Sequence, residues 1–166
     1  MKTRIQRILS TAIILIAPVA QATDAGFQVK MLTPETALTA ARAALEHCRK
    51  GGFQVAVAVV DRSGVTQVLL RDRFAGAHTV EVATNKAWTS ASFRISTAAL
   101  AVETAPDKPM NALRSVPRVL AAGGGLPVEA GGSYFGGIGV SGAPGGEADE
   151  ACARAGIKAI AESLEF

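Results

Sequence analysis

A glycine-rich strand that runs straight into an amphipathic helix constrains this chain more than any other feature of its sequence. The segment extends from Gly131 to Phe166, and its β-capable residues are Tyr134, Phe135, Ile138 and Val140. Glycine weakens a strand and has no side chain to pack, so its density here predicts that some group approaches the backbone closely. That group is either a ligand or another subunit.

The first residues have the pattern of a secretory signal. Three basic residues precede an apolar run from Ile8 to Ala20, namely Lys2, Arg4 and Arg7. Ala20-Gln21-Ala22 offers the small-x-small pattern of a cleavage site, so we predict a signal peptide over residues 1–22. A bilayer span needs about 20 apolar residues, which favours cleavage over a short membrane anchor. The sequence therefore predicts a periplasmic or secreted protein without a stable membrane anchor.

Removal of the signal changes the charge of the chain. Three of the 17 basic residues and none of the 14 acidic residues lie in the signal, so the mature chain has 14 of each. No basic cluster remains to form a concentrated positive face, which argues against nucleic acid as a partner. The length of residues 23–166 fits one globular domain with its own core.

The first half of the mature chain predicts a helix, a hairpin and a second helix. Thr33-Pro34-Glu35 is typical of a helix start, and Gly51-Gly52 of a helix end. Two β-branched runs, Phe53 to Asp61 and Val65 to Arg71, are separated by a short turn and predict a β-hairpin. A second helix is predicted from near Thr79 to about Phe93.

The second half is less regular. Ser96 predicts the cap of a short helical turn. Short strands are predicted at Arg118 to Ala121 and Val128 to Ala130, followed by the glycine-rich strand and a closing helix from about Glu147 to Leu164. The order is α-β-β-α-β-β-β-α, and its hairpin-like connections favour an antiparallel sheet of the α/β (α+β) class.

Three separated motifs resemble one known family. They are VVDRSG, then LRDRFAGAHTVEVATNKAWTSASF, then GGGLPVEAGGSYFGGIGVSGAPGGEADEACARAGIKAI. In this order they are similar to the HbpS/GlcG haem-binding (haem-degrading) family, which includes PduO C-terminal domains. The resemblance covers roughly Met31 to Ala161. It implies a profilin-like five-stranded antiparallel sheet flanked by helices, with homo-oligomers common, and haem as the cofactor.

His78 is the better placed of two histidines for such a cofactor. It lies at a loop-to-helix junction, whereas His47 lies late in the first helix. Imidazole is a good ligand for haem iron, and Phe74 and Trp88 would supply apolar cover if they share the pocket. The alternative is that His78 caps or hydrogen-bonds the helix start.

Basic residues near His78 are candidates for anionic groups of a ligand. Lys86 follows His78 by close to two helical turns and would meet a haem propionate or another anion. Its alternatives are a solvated lysine or an internal ion pair with Glu81 or Glu103. Arg71 and Arg73 could serve the same carboxylates, although a surface position is the ordinary expectation for each of these cations.

Other chemistry lacks a specific pattern. Glu147-Ala148-Asp149-Glu150 has a spacing that can bind iron weakly, but acids in a first helical turn also complement the helix dipole, which we favour. No zinc-binding spacing is present. Ser141 lacks the surroundings of a nucleophile and is interpreted as a turn residue, as is Asp61 at the end of the first strand.

The family topology also suggests a disulfide. Cys48 closes the first helix and Cys152 opens the last. The resemblance implies that the first and last strands are antiparallel neighbours, which would bring these helix ends together. In an oxidising compartment the pair would close a loop of about 100 residues, for which the chain-entropy model gives about 4.7 kcal/mol. The alternative is two buried free thiols.

Three functions are compatible with these observations. The first is an extracytoplasmic haem-binding protein, acting as a carrier, sensor or haem-handling module. The second is an enzyme or accessory protein for a small anionic or carbonyl metabolite, with Lys86, an arginine and backbone amides as an anion pocket. The third is an oligomeric structural protein without a ligand. Fold-level likeness does not choose among them.

Overall fold

A computed structural model describes residues 26–164, so the predicted signal peptide lies outside the described residues. Three α-helices are longer than two turns: α1 over Pro34–Lys50, α2 over Thr79–Phe93 and α4 over Gly146–Leu164. A short helix, α3, covers Thr97–Glu103, and a 3₁₀ helix covers Asn111–Ser115. The strands are β1 (Ala56–Asp61), β2 (Thr66–Arg71), β3 (Gly125–Ala130) and β4 (Ser133–Ser141). Within this range no helix is long and apolar enough to cross a membrane.

The ends of the elements follow local chemistry. Thr33 caps α1 by accepting a hydrogen bond from the backbone N–H of Thr36, and Ser96 caps α3 by accepting one from Ala99. Asp61 ends β1, and its Oδ1 accepts the backbone N–H groups of Ser63 and Val65, as expected of a turn residue. The predicted helices and the hairpin are confirmed.

The strands form one antiparallel sheet in the order β2-β1-β4-β3. The first and last strands are neighbours, with Ala56 opposite Ser141 and Asp61 opposite Gly136. Ser141 is therefore the last residue of β4, and its interpretation as a turn residue is wrong. The antiparallel α+β architecture is confirmed.

The predicted five-stranded sheet is wrong, because the described part of the chain contains four strands. The segment predicted as a strand from Arg118 to Ala121 is irregular. Its polar backbone groups bind a side chain instead of a neighbouring strand: Thr89 Oγ1 donates to the Arg118 carbonyl at 3.2 Å and accepts from the Leu120 N–H at 2.9 Å. Arg118 also has a φ of 72°, which breaks an extended conformation.

One face of the sheet packs against α1 and α4 through large side chains. The buried strand residues on this face include Val57, Val59, Val128, Phe135, Ile138 and Val140. The same face holds the predicted disulfide, in which Cys48 of α1 and Cys152 of α4 are joined with their Cα atoms 5.5 Å apart. Both cysteines are buried in the core cluster. The two helices are thus held by burial and by a covalent link.

The opposite face packs against α2 through very small residues. Ala56 and Ala58 of the sheet meet Ala83 and Ala87 of the helix. A Cβ atom on Gly139 would lie 2.2 Å from the Ala83 carbonyl oxygen. The backbone of α2 therefore sits directly on β4. At Gly137 and Gly139 the group that approaches the backbone is a helix of the same chain, which is neither of the two alternatives predicted from the sequence.

Candidate functional site

A cavity of about 480 Å³ opens where the start of β1, the end of β4 and the N-terminus of α2 meet. Its lining includes His78 and Phe74 from the loop before α2 and Ser141 at the end of β4. The loop that follows β4 forms another wall, from Gly142 to Pro144. The predicted ligand residue and one of its predicted aromatic neighbours thus share a concave site.

His78 precedes the first residue of α2, but its side chain makes no capping hydrogen bond. Thr79 holds the start of the helix instead, because its hydroxyl donates to the Gly76 carbonyl at 2.7 Å. The imidazole lies over Gly76, where an added Cβ would come within 2.6 Å of the ring. Within residues 26–164 this imidazole has no hydrogen-bond partner, so its nitrogens are available to a ligand.

The aromatic residues at the cavity are unequally covered. Phe74 is 79% exposed, which is unusual for a phenylalanine and leaves its ring available to a flat apolar ligand. Phe53 is partly buried against the core and also lines the cavity. Two phenylalanine rings therefore give apolar contact surface to an open cavity whose lining is otherwise mostly polar.

Gln54 adds an acceptor that lacks a partner. It lies just before β1, lines the cavity, and its Oε1 atom is buried without a hydrogen-bond partner among the described residues. Buried polar atoms are nearly always hydrogen-bonded, so this atom fits a donor supplied by a ligand or by water. Gln54 was not predicted from the sequence, because nothing local distinguishes a glutamine at a strand start.

Lys86 and Asp149 form a buried ion pair behind this cavity. Lys86 Nζ donates to Asp149 Oδ2 at 2.7 Å and to the Val140 carbonyl at 3.1 Å, and both side chains are about 5% exposed. Asp149 Oδ1 accepts the backbone N–H of Ala143 at 2.9 Å. The predicted alternatives of a solvated lysine or a pair with Glu81 or Glu103 are wrong, since the partner is Asp149.

This pair determines what Lys86 can do. Its ammonium group already has an anionic partner, and breaking a buried pair is strongly destabilising. Lys86 does not line the cavity, whereas Asp149 does. The pair instead connects α2 to the first turn of α4 and fixes the loop that forms one cavity wall. The anion pocket considered for the second function thus lacks a free Lys86.

Asp72 anchors the loop that carries Phe74 and His78. Arg49 of α1 donates to its two carboxylate oxygens, at 2.7 Å from Nε and 2.9 Å from Nη2. Asp72 is 2% exposed, and the hydrogen bond from Arg49 lowers the pKa of its carboxyl group. Arg71 donates to the Ala75 carbonyl within the same loop, and the side chain of Arg73 is exposed. Neither arginine is among the residues that line the cavity.

Trp88 lies away from His78, because it belongs to the C-terminal half of α2. Its indole ring packs beside Gly64 in the β1–β2 turn. The guanidinium of Arg118 lies 4.9 Å from the centroid of the same ring. Trp88 is not among the residues that line the His78 cavity, so the structure does not bring it together with Phe74.

The described residues contain no group of three or more histidine, cysteine or acidic side chains that could hold a metal ion. Glu147 and Glu150 lie in the first turns of α4, and Glu150 accepts a hydrogen bond from Arg154 at 2.6 Å. His78 is thus a single nitrogen donor, which suits a cofactor that brings its own metal rather than a bare ion.

These features define a class of α+β protein with an antiparallel sheet between helix layers and a cavity at the N-terminus of α2. The sequence from residue 32 to residue 158 matches the family described as haem degrading protein HbpS-like. The chain belongs to this family.

Solved structures support the same assignment. HbpS from Streptomyces reticuli, solved as a double mutant, is 44% identical, with 86% of this chain and 95% of that chain covered and a TM-score of 0.77. The protein ORFY from Klebsiella pneumoniae is 27% identical, with 84% and 97% covered and a TM-score of 0.79. PduOC, solved as a complex with haem, is 30% identical, with 79% and 96% covered and a TM-score of 0.75. No curated protein sequence matches the chain.

Proposed function

We propose that this chain is an extracytoplasmic haem-binding protein that holds haem in the His78 cavity. The observation that carries this proposal is the imidazole of His78, which faces a cavity without a hydrogen-bond partner among residues 26–164. PduOC, a relative of this chain, was solved with haem, and the family to which both belong is described by haem.

The residues of the cavity fit this cofactor. A histidine nitrogen is a common axial donor to haem iron, and an exposed phenylalanine ring offers apolar contact to a porphyrin. Phe74 provides such a ring beside His78, and the unpaired Oε1 of Gln54 provides an acceptor. When bound, haem would supply iron-centred ligand-binding and redox chemistry.

The protein's own contribution would be binding and orientation. His78 would hold the iron, and Phe74 would cover one part of the ring. The ion pair between Arg49 and Asp72 would keep their loop in place, and the pair between Lys86 and Asp149 would keep the opposite wall in place. The contacts to haem predicted for Lys86 and Trp88 have no support in this arrangement.

A haemin titration of the untagged protein tests this function. We expect a Soret band that saturates with haemin for the natural chain, and a shifted or lost band for His78→Ala. His47→Ala is the matched control, because His47 is the chain's other histidine and is exposed late in α1. Identical spectra for the natural chain and His78→Ala would remove His78 from the role. Absence of a saturable band for the natural chain would reject haem binding altogether.

We also propose that residues 1–22 direct export and are removed. The disulfide between Cys48 and Cys152 supports this location, since disulfides persist mainly in oxidising compartments. Fractionation of the native host followed by N-terminal sequencing should recover a chain that starts at Thr23 in the periplasm or medium. Recovery of a chain that keeps residues 1–22 in the cytoplasm would contradict the proposal.

A homo-oligomer is the third part of the proposal. Phe74 is so exposed that a second copy seated over the cavity would bury apolar surface and close the site. Native mass spectrometry with and without haemin should show a defined oligomer. A monomer at micromolar concentration in both conditions would contradict this part without affecting haem binding.

A further inference from the structure

The opposite end of α2 carries a second polar site, which the haem proposal does not use. The ring of Tyr134, at the start of β4, has the guanidinium groups of two arginines near it. The Arg94 guanidinium is 5.0 Å from the ring centroid and that of Arg62 is 5.9 Å. We propose that Arg94, Arg62 and Tyr134 form a binding site for the carboxylate or phosphate group of a small ligand.

The backbone conformation of Arg94 is unusual for a residue with a side chain. Arg94 follows the last residue of α2 with a φ of 56°, in the left-handed region where glycine is the usual residue at a helix end. A non-glycine residue in this conformation carries a steric cost. The helix end itself needs only the Arg94 backbone N–H, which donates to the Ser90 carbonyl. The long cationic side chain is therefore not required by the cap.

Among the described residues, the N–H groups of both guanidinium groups are free to bind a ligand. Within residues 26–164 neither Arg62 nor Arg94 makes a side-chain hydrogen bond or an ion pair. A guanidinium stacked on an aromatic ring keeps its N–H groups in its own plane, where they point away from the ring edge. That arrangement presents paired donors to a carboxylate or a phosphate.

Tyr134 is fixed and so provides a rigid base for these donors. Its hydroxyl donates to the Ala91 carbonyl of α2 at 2.6 Å, and burial raises its pKa to about 12. A cavity of about 340 Å³ lies beside the ring, and its lining includes Arg94, Tyr134 and Glu129. Arg62 is not among the lining residues and contributes from the ring alone. Its size suits a small ligand rather than a cofactor as large as haem.

Two acidic residues near this site should lower its affinity for an anion. Asp61 is engaged through one oxygen, since its Oδ1 accepts two backbone N–H groups of the β1–β2 turn, but its charge still acts on Tyr134. Glu129 is exposed, lines the cavity and makes no ion pair within the described range. Glu129 is therefore the competitor of an incoming anion, and its neutralisation should strengthen binding.

The chain's single tyrosine makes the test direct, since Tyr134 gives one set of ring signals in an NMR spectrum. We would titrate the full chain with inorganic phosphate and, separately, with succinate, at constant ionic strength with chloride as the reference ion. Binding predicts a saturable shift of the Tyr134 signals with phosphate, succinate or both. The stronger of the two anions identifies the preferred group.

Arg94→Gly separates binding from stability. Glycine relieves the left-handed backbone, so the Tm should be unchanged or raised, while the anion affinity falls about tenfold or more because a charged hydrogen-bond donor is lost. Arg62→Gln should weaken binding to a smaller extent, and Glu129→Gln should strengthen it. Arg42→Gln, which removes an exposed charge on α1, should leave the affinity unchanged.

Two results would overturn the proposal. One is a linear, non-saturating shift with both anions in the natural chain. The other is a saturable shift that persists with the same midpoint in Arg94→Gly. Neither result depends on haem, because Tyr134 lies at the end of β4 opposite to Ser141 and the His78 cavity.

Discussion

The two faces of the sheet are covered in different ways. On the face toward α1 and α4, large side chains such as Phe135 and Ile138 fill the space, and a disulfide joins the two helices. On the face toward α2, alanine and glycine allow the helix backbone to touch the strands. On the first face, side chains fill the space between the sheet and the helices, so they can repack when one of them changes. On the second face, the helix backbone touches the strands, so no side chain can move to make room.

This difference explains how the molecule can present a functional group on a helix end. The close contact with Gly139 fixes the position of α2 along β4, and His78 lies immediately before the first residue of that helix. A ligand residue held in this way keeps its place relative to the sheet. The glycine-rich strand therefore positions His78 indirectly, by holding α2 in place.

The largest expected effect comes from filling the contact on the α2 face. Gly139→Val would drive a side chain into the Ala83 carbonyl, and we expect the free energy of unfolding to fall by more than the roughly 1–3 kcal/mol of ordinary overpacking, because the clashing atom belongs to the backbone. Circular dichroism of the purified variant would show it. Gly145→Val is the matched control, since an added Cβ there meets nothing within 4 Å, and it should cost only about 1 kcal/mol. Equal stability of the two variants would contradict the close approach of α2.

The next effect concerns the covalent link on the other face. Replacing Cys48 and Cys152 together by alanine should lower the free energy of unfolding by about 4.7 kcal/mol, the chain-entropy value for a loop of about 100 residues, without burying a new hydroxyl group in the core. Urea denaturation of the oxidised chain and the double variant measures it. Two reactive thiols in the denatured natural chain, counted without reductant, would show that the link does not form.

Enlarging a side chain on one face and shortening one on the other compares how tightly the two faces of the sheet are packed. Ala58→Val adds bulk against α2 and should cost about 1–3 kcal/mol, because no space is available there. Ile138→Val removes one methylene from the face of α1 and α4 and should cost about 0.5–1.5 kcal/mol. Thermal unfolding of both variants at one pH gives the comparison. If Ile138→Val lowered the Tm more than Ala58→Val, the face toward α2 would not be the more tightly packed one.

The smallest effect belongs to Asp72, which lies outside both faces at the end of β2. Its pKa in the folded protein is lowered by Arg49, so the stability it contributes is complete above about pH 4, its ordinary pKa range. This contribution is lost as the pH falls through the lowered pKa of the folded state. The Tm difference between the natural chain and Asp72→Asn should therefore shrink on acidification from pH 6 to pH 3. A difference that stays constant over this range would contradict the assignment.

Elements with local signals could be predicted from the sequence. The α2 helix runs from Thr79 to Phe93 as predicted, and the hairpin follows its turn. The strand predicted at Arg118 to Ala121 failed because Thr89, about 30 residues away, binds its backbone. Only the folded chain brings these groups together.

The site was predictable to a smaller extent. His78 and Phe74 line the same cavity, because both belong to one short loop, while their role in binding stays a prediction. The partner of Lys86 was missed, since Asp149 is 63 residues away and helix spacing reveals only neighbours within a turn or two. Trp88 was grouped with His78 by its helix, yet ten residues of helix place it toward the other end of the sheet.

Selective labelling of the two histidines shows whether His78 binds haem iron. In untagged protein labelled with ¹⁵N-histidine, the NMR spectrum contains side-chain signals from His47 and His78 alone. On addition of one equivalent of haemin, we expect the His78 signals to be strongly shifted or broadened beyond detection by the paramagnetic iron, while those of His47 persist. Unchanged His78 signals in the presence of bound haemin, or loss of the His47 signals instead, would contradict this expectation.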